Sequence, residues 1–587
     1  MQNVRKTDKK RGFLGRLIYN SLIVSLLTYY SEKLRSAADG SFVSRIFRCS
    51  DRADRAASQS MIASTVSGAV SSPAVSSLRQ GFASGVESSA IVTFYRRCLR
   101  ALSNASVRSA GVFLLSAGFY AALACAVRIF REGAGIRMLP DFVVIVLFVL
   151  ASGIMLISKK TLGAKFCESA FLSFVFFDAL GINQMAVRTG DVPVNRFAAA
   201  FFGGMAFGIA SYFLSALTVT LWLMAAAFCA LILYSPESGI LSALFLVALT
   251  GDEVISFILV VTFISYFIKL LRGKRNLTFK SEDVIALFAA FVFASSFGNE
   301  STGRSVLTVA VYFASSNLFR SVALLRKSAV CVSLGLGINM LFVTIDNISG
   351  LFGTSFRSVF GFATADLHGA DALVTALAVV WIICVMQSRS YRMPSSLKAI
   401  FFSCAVFNAA FSASDVVITA ALVGTFIFFV FRSGRLFNVL FGYAVAVPAA
   451  ICLRYVFTGG VTFAPMRLLG ADFTGAALDK LLFGGAFFGE SLVARLVEAF
   501  GLTGCLLMAF MLYLLLSRAL GSASSHADGM RAFCAACVAS AALIFFMGLF
   551  ETGSKGAWDT LLFWALCGMI SATGNALARS EAPEDYR

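Results

Sequence analysis

Residues equipped for chemistry are few in this chain. It has two histidines, His368 and His526, too few for a histidine-built metal site. It carries no HExxH pair, no phosphate-binding GxxxxGK[ST] loop and no GxSxG elbow. Cys534 and Cys537 have Cys-x-x-Cys spacing but sit inside an apolar run, where thiols act as small hydrophobes and a small-residue helix face is the plainer reading. Gly335-Leu336-Gly337 also lies in an apolar run with no strand before it, which argues against a dinucleotide site. The long stretch 454–494 between two apolar runs differs. It contains Arg454 and Arg467 and closes on Gly489-Glu490-Ser491-Leu492, followed by Gly501-Leu502-Thr503-Gly504. A glutamate, with a reference pKa of about 4.3, is an ionised base at neutral pH. An arginine stays protonated beside a membrane, and its planar fork holds a phosphate, a headgroup or a carboxylate through two bonds. Arg357 stands in a second such stretch, 349–370. Gly501 and Gly504, three residues apart, would share a helix face and admit a close neighbour.

The elements that must position these residues follow from composition. Hydrophobic residues make up 58% of the 587, charged residues 14%, and mean hydropathy is +0.83. A soluble domain carries about 25% charged residues, so this surface is made to meet lipid. The expected architecture is an all-α, polytopic integral membrane bundle. Crossing a hydrocarbon core of about 30 Å takes about 20 apolar residues, and qualifying runs, from 109–130 to 558–577, give about 14–16 spans. A shorter run at 238–250 is a further candidate, and 164–182 reads as one interfacial helix. The net charge of +18 is scattered between apolar runs, which points to anionic lipid headgroups and away from nucleic acid. Residues 1–105 form a separate region rich in Ser, Arg and Ala, and 106–587 the membrane domain. Basic clusters such as Arg96-Arg97-Cys98-Leu99-Arg100 fit amphipathic helices lying on an anionic leaflet or a disordered basic tail. The recurrence of Phe and Leu favours helices.

Orientation comes from Lys and Arg in short links. Basic links fall at Lys159-Lys160, Lys269 to Arg275, Arg320 to Lys327, Arg389 to Lys398, Arg432 to Arg435 and Arg518 to Arg531. Their alternation with less basic loops predicts a multi-pass cell-membrane protein with both termini cytoplasmic and 349–370, 454–494 and 551–557 outside. The link Arg128 to Asp141 breaks the rule, with three arginines on the outer side. The spans show no chain of buried carboxylates of the kind a cation-coupled transporter uses.

Ser491, the nine residues 492–500, then Gly501 and Gly504 resemble the hallmark of O-antigen ligase-like (ligase and polymerase) membrane proteins. There a His is followed by Asn, Ser or Gln, nine residues and Gly-x-x-Gly; here Glu490 stands in place of the His. Phe166 to Ala170, Pro236-Glu237, Lys274 to Thr278 and the last apolar run from Ala557-Trp558 to Gly568 look like ligase-type proteins of Gram-positive anaerobes. Departures accompany the likeness. Ser414-Asp415-Val416 replaces a Ser-Arg-Gly turn, and Arg357 is followed by Thr364-Ala365-Asp366 where an Asn-Pro-Asn element is common. The resemblance implies a glycosyltransferase-C-like fold that moves a glycan from an undecaprenyl pyrophosphate carrier to an acceptor glycan or other cell-surface molecule on the outer face. It implies no metal, no cofactor and no soluble nucleotide sugar. Glu490, Arg454 and Arg467 would be catalytic, and Arg357, Ser491 and Asp415 would bind substrate. A glutamate beside pyrophosphate adds like charge, so Glu490 fits only on the acceptor side. The alternatives are a polymerase of the same fold, a lipid-linked glycan flippase or other transporter, and a family member that has lost catalysis.

Overall fold

The computed structural model describes residues 73–132, 139–180, 194–272, 280–295, 300–351, 372–411, 415–433, short stretches within 439–452, 492–523, 529–548 and 557–581. Among them there is no strand, and the order is α1 (Pro73–Ser88), α2 (Ala90–Ser103), α3 (Val107–Glu132), α4 (Leu139–Ile157), α5 (Leu162–Glu168), α6 (Ala170–Ser173), a π-helical turn (Phe174–Ala179), α7 (Phe197–Phe213) and α8 (Ala216–Tyr234). Then come α9 (Pro236–Leu246), α10 (Asp252–Leu271), α11 (Ser281–Ser295), α12 (Glu300–Leu318), α13 (Val322–Leu351) and α14 (Ala372–Met386). The last are α15 (Ser395–Phe411), α16 (Asp415–Ser433), α17 (Leu492–Ala523), α18 (Met530–Met547) and α19 (Ala557–Glu581). Seven described helices are long and apolar enough to cross a membrane, and seven shorter apolar helices accompany them. The described residues are all-helical, and their apolar helices fit a multi-pass membrane protein. Much of the apolar run 436–453 lies outside the described residues.

Contacts divide the chain into two units. Among the described residues, one holds those within 73–243 and 256–272, the other those within 244–255 and 280–581. In the first unit α3 packs on α4 and α7. The α3–α7 contact works because α7 presents glycines at 204 and 208, four residues and about one turn apart. A Cβ on Gly204 would strike Ser116 Oγ and come within 2.6 Å of the Phe113 carbonyl oxygen, and one on Gly208 would strike Tyr120. The helix backbones therefore approach closely, which inside lipid replaces the missing hydrophobic drive with dispersion. The other faces carry exposed Phe119, Phe130, Leu150, Phe202 and Trp222, an apolar surface suited to lipid.

At one end of this trio three segments cross. Val107 N donates to Lys160 O at 2.9 Å, Leu162 N to Ala105 O at 2.9 Å, Val194 N to Asn104 O at 3.0 Å and Ser106 N to Val194 O at 3.1 Å. The start of α3, the end of α4 and the start of α7 thus lie at one level, as alternating spans require. At the opposite level, the irregular link 128–141 has a physical account. Arg128 pairs with Asp141 at 3.5 Å, and Asp141 Oδ1 accepts Leu217 N at 3.1 Å, satisfying an open donor in the first turn of α8. One of the three arginines is thereby compensated inside the link. The expected single helix over 164–182 is instead α5, α6 and the π-turn, broken at Ser169, whose ψ is 118°. The run 238–250 gives α9, whose 11 residues span about 16 Å, short of the hydrocarbon thickness.

In the second unit α14 is buried on almost every side, and α13, α18 and α19 are nearly so. Trp381 and Trp564, with Phe319, Phe533 and Phe563, are fully buried among these helices. Cys384, Cys534 and Cys537 are buried free thiols, in keeping with a small-residue face. Links meet at a common level here too: Tyr391 OH, between α14 and α15, donates to Gly529 O before α18 at 2.7 Å. These contacts fix relative helix directions and agree with an alternating path.

Candidate functional site

Helix α11 opens with Lys280-Ser281-Glu282-Asp283, set directly against an apolar run. Asp283 Oδ2 accepts Lys280 N at 2.7 Å, half of a capping box, and both acids lie where the helix dipole favours negative charge. Helices α12, α17 and α19 close around this start. Arg518 of α17 grips Glu282 with both arms of its fork, Nε to Oε1 at 2.5 Å and an Nη2 to Oε2 bond of 2.9 Å. Tyr312 of α12 donates its hydroxyl to Asp283 Oδ1 at 2.6 Å. Lys280 Nζ donates to the carbonyl oxygen of Ser571 and, at 3.2 Å, to its hydroxyl. Ser522 and Thr573 share a hydroxyl bond of 2.9 Å beside them. Glu282 and Tyr312 are wholly buried, Asp283 and Lys280 nearly so.

This cluster is a buried pair of carboxylates at one helix start, not the chain of carboxylates that a cation-coupled transporter uses. Glu282 and Asp283 stand at the mouth of an apolar run, where solvated acids are ordinary. Their burial depends on Arg518 and Ser571, which are 236 and 291 residues away along the chain from their partners. The available signal was the Lys-Ser-Glu-Asp sequence with no linker before the apolar run, and an arginine at the far end of another span. Chemically the arrangement is a latch. Two carboxylates face two cations, and each carboxylate already accepts hydrogen bonds from protein donors.

Arg357, Arg454, Arg467, Glu490 and Ser491 lie outside the described residues. Asp415 is the first residue of α16. Gly501 is described and differs from expectation. Its φ of 66° and ψ of −160° interrupt α17, so Gly501 and Gly504 do not continue one regular helix face. That backbone conformation is open essentially to glycine alone. The residue's role is therefore conformational: it separates 492–500 from the apolar stretch Gly501–Ser522 that is long enough to cross a membrane.

Among the described residues no group of three His, Cys, Asp or Glu could hold a metal ion. Compared with protein-family models, curated proteins and solved structures, the chain matches none.

Proposed function

We propose that the protein is an O-antigen ligase-like membrane glycosyltransferase, moving a glycan from an undecaprenyl pyrophosphate carrier to an acceptor hydroxyl on the outer face. The observation that carries the reading is the spacing from Glu490-Ser491 to Gly501-x-x-Gly504, with Gly501 in a conformation that glycine alone favours. A break there ends the loop-side helix and starts the membrane span at a fixed point, which a motif at a membrane boundary needs. The multi-pass helical architecture is compatible with it.

In this reading the acceptor oxygen attacks the anomeric carbon and loses its proton to Glu490. The bond from that carbon to the pyrophosphate oxygen breaks, and the departing charge stays with the carrier. Arg454 and Arg467 neutralise that charge through bidentate contacts. Arg357, Ser491 and Asp415 orient the glycan and acceptor. A second lipid-linked glycan as acceptor would make the same reaction a polymerisation. Glu282 and Asp283 do not favour an ion-coupled transporter, because protein donors already occupy both carboxylates.

The test is transfer from purified undecaprenyl pyrophosphate-linked glycan by the reconstituted protein. Glu490→Gln should abolish transfer while carrier binding persists, and Arg467→Lys should slow transfer because a point charge lacks the fork. Equal activity of wild type and Glu490→Gln would remove Glu490 from the chemistry. An inactive wild type beside an active Glu490→His would identify a protein that has lost its base.

A further inference from the structure

Helix α2 presents a patterned, exposed surface among the described residues. Phe94, Cys98 and Leu102 recur every fourth residue and form one stripe, since i and i+4 share a face. Phe94 is 69% and Leu102 65% exposed, and Cys98 is exposed as well. Arg97 and Arg100 are exposed and lie off that stripe. Phe94 and Leu102 thus stand open on one face of the helix, as do the lipid-suited side chains of α3 and α4 such as Phe130 and Ile157.

The helix is also fixed in place. Asn104 N donates back to Arg100 O at 3.1 Å, and the next residues enter the crossing of 104–107, 160–162 and 194 without a linker. Arg196 N is tied there as well, donating to Ser109 Oγ at 2.9 Å. That crossing is where α3, α4 and α7 begin or end, so α2 sits at the rim of their exposed apolar wall. Around the rim Lys159, Lys165 and Arg196 are exposed. Lys160 is held by Glu168, with Nζ 2.6 Å and 2.7 Å from its two oxygens.

We propose that α2 and this rim form a docking surface for anionic phospholipid. Phe94, Cys98 and Leu102 enter the acyl-chain boundary, and Arg97, Arg100, Lys159, Lys165 and Arg196 engage lipid phosphates. Charge complementarity and continuity with the lipid-suited wall single out a bilayer as the occupant. Long basic side chains can keep their stems on apolar surface while their heads reach phosphate. The surface would hold the start of the membrane domain at a set depth, independently of any glycan chemistry.

The test uses the full chain in nanodiscs of phosphatidylcholine alone or equimolar with phosphatidylglycerol, reading amide hydrogen exchange over 90–103. Phosphatidylglycerol should slow exchange about tenfold, a modest return on two arginines each favouring an anionic surface by a factor of several. Arg97→Gln with Arg100→Gln should shrink that difference, and Phe94→Ser with Leu102→Ser should speed exchange in both lipids. Unchanged protection of the buried helix α14 certifies that each variant is folded. Equal wild-type exchange in the two lipids overturns the proposal, as does slowing undiminished by loss of both arginines. Cross-links between chains at Cys98 with protection that rises with copies per disc would assign the stripe to a second copy instead.

Discussion

Two regions hold helices together by different physics. In the corner formed by α11, α12, α17 and α19, the contacts are a bidentate ion pair, a phenol–carboxylate bond and a lysine on a carbonyl. In the trio α3, α4 and α7, the contacts are glycines pressed against backbone. The surroundings explain the difference. The spanning windows of α19 and α17 are 89% and 41% buried, whereas that of α3 is 33% buried. A helix enclosed by protein can bring a charge to a partner held in place by its neighbours. A helix facing lipid has no such enclosure, and an unpaired polar group there would lose several kcal/mol of hydration without return. Glycine contacts need no desolvation and suit the exposed case.

Arg518→Leu tests the polar corner most severely. It leaves Glu282 as an uncompensated buried carboxylate, and stability should fall by about 3–5 kcal/mol. Thermal or denaturant unfolding in detergent micelles measures it. Glu282→Leu combined with Arg518→Leu should recover most of the loss, because removing both charges also removes their desolvation cost. A double variant as unstable as the single one would mean that the pair supplies more than charge compensation.

Gly208→Val probes the other region. The new side chain meets Tyr120 backbone and must push α3 and α7 apart, costing about 2–3 kcal/mol. Gly208→Ala should fall between wild type and Val. Insensitivity to both would show that the trio is held by something other than close approach.

Asp141→Ala follows, at about 1 kcal/mol, the scale of a lost helix-start acceptor. It also leaves Arg128 without its carboxylate in the link 128–141, so impermeant labelling across that link should become less uniform as its orientation preference weakens. An unchanged midpoint and labelling pattern would mean that Asp141 compensates nothing in that irregular link.

The smallest effect belongs to Glu168 and Lys160. Lys160 hydrogen bonding and its charge, aided by Lys165, hold the Glu168 carboxyl below its usual range. A carboxyl depressed in the folded state contributes above the unfolded value of about 4.3, and its contribution is lost as pH falls through the lower folded value. Both side chains are about half exposed, so water screens the pair. Glu168→Gln should leave the unfolding midpoint at pH 7 essentially unmoved and flatten only the acid limb below about pH 4. A clear loss at neutral pH would mean that the pair clamps α5 more firmly than a surface contact does.

Much of the architecture was written in the sequence. Apolar runs of span length such as 109–130 and 558–577 became α3 and α19 because lipid permits few alternatives to a helix with every backbone bond made internally. The alternation of basic links gave relative directions that agree with the contacts at Tyr391–Gly529 and at the crossing of 104–107, 160–162 and 194. The close approach of α3 and α7 was legible too, in Gly204-x-x-x-Gly208 within an apolar run, although composition alone drew no attention to it. Other features needed the fold. The missing linker before the apolar run was the one local hint in Lys280-Ser281-Glu282-Asp283, and it could not show burial, because burial is set by Arg518, Tyr312 and Ser571 on three other helices. The break of 164–182 at Ser169 depends on competing capping and π-turn geometry that an apolar average cannot register. Gly501 was visible as a glycine, but spacing placed it on a helix face, and only backbone torsions reveal that the chain bends there. Sequence by itself determined which segments enter lipid, since that depends on each segment's own transfer free energy. Tertiary structure decided which charges could follow them in, since that depends on partners distant in the chain.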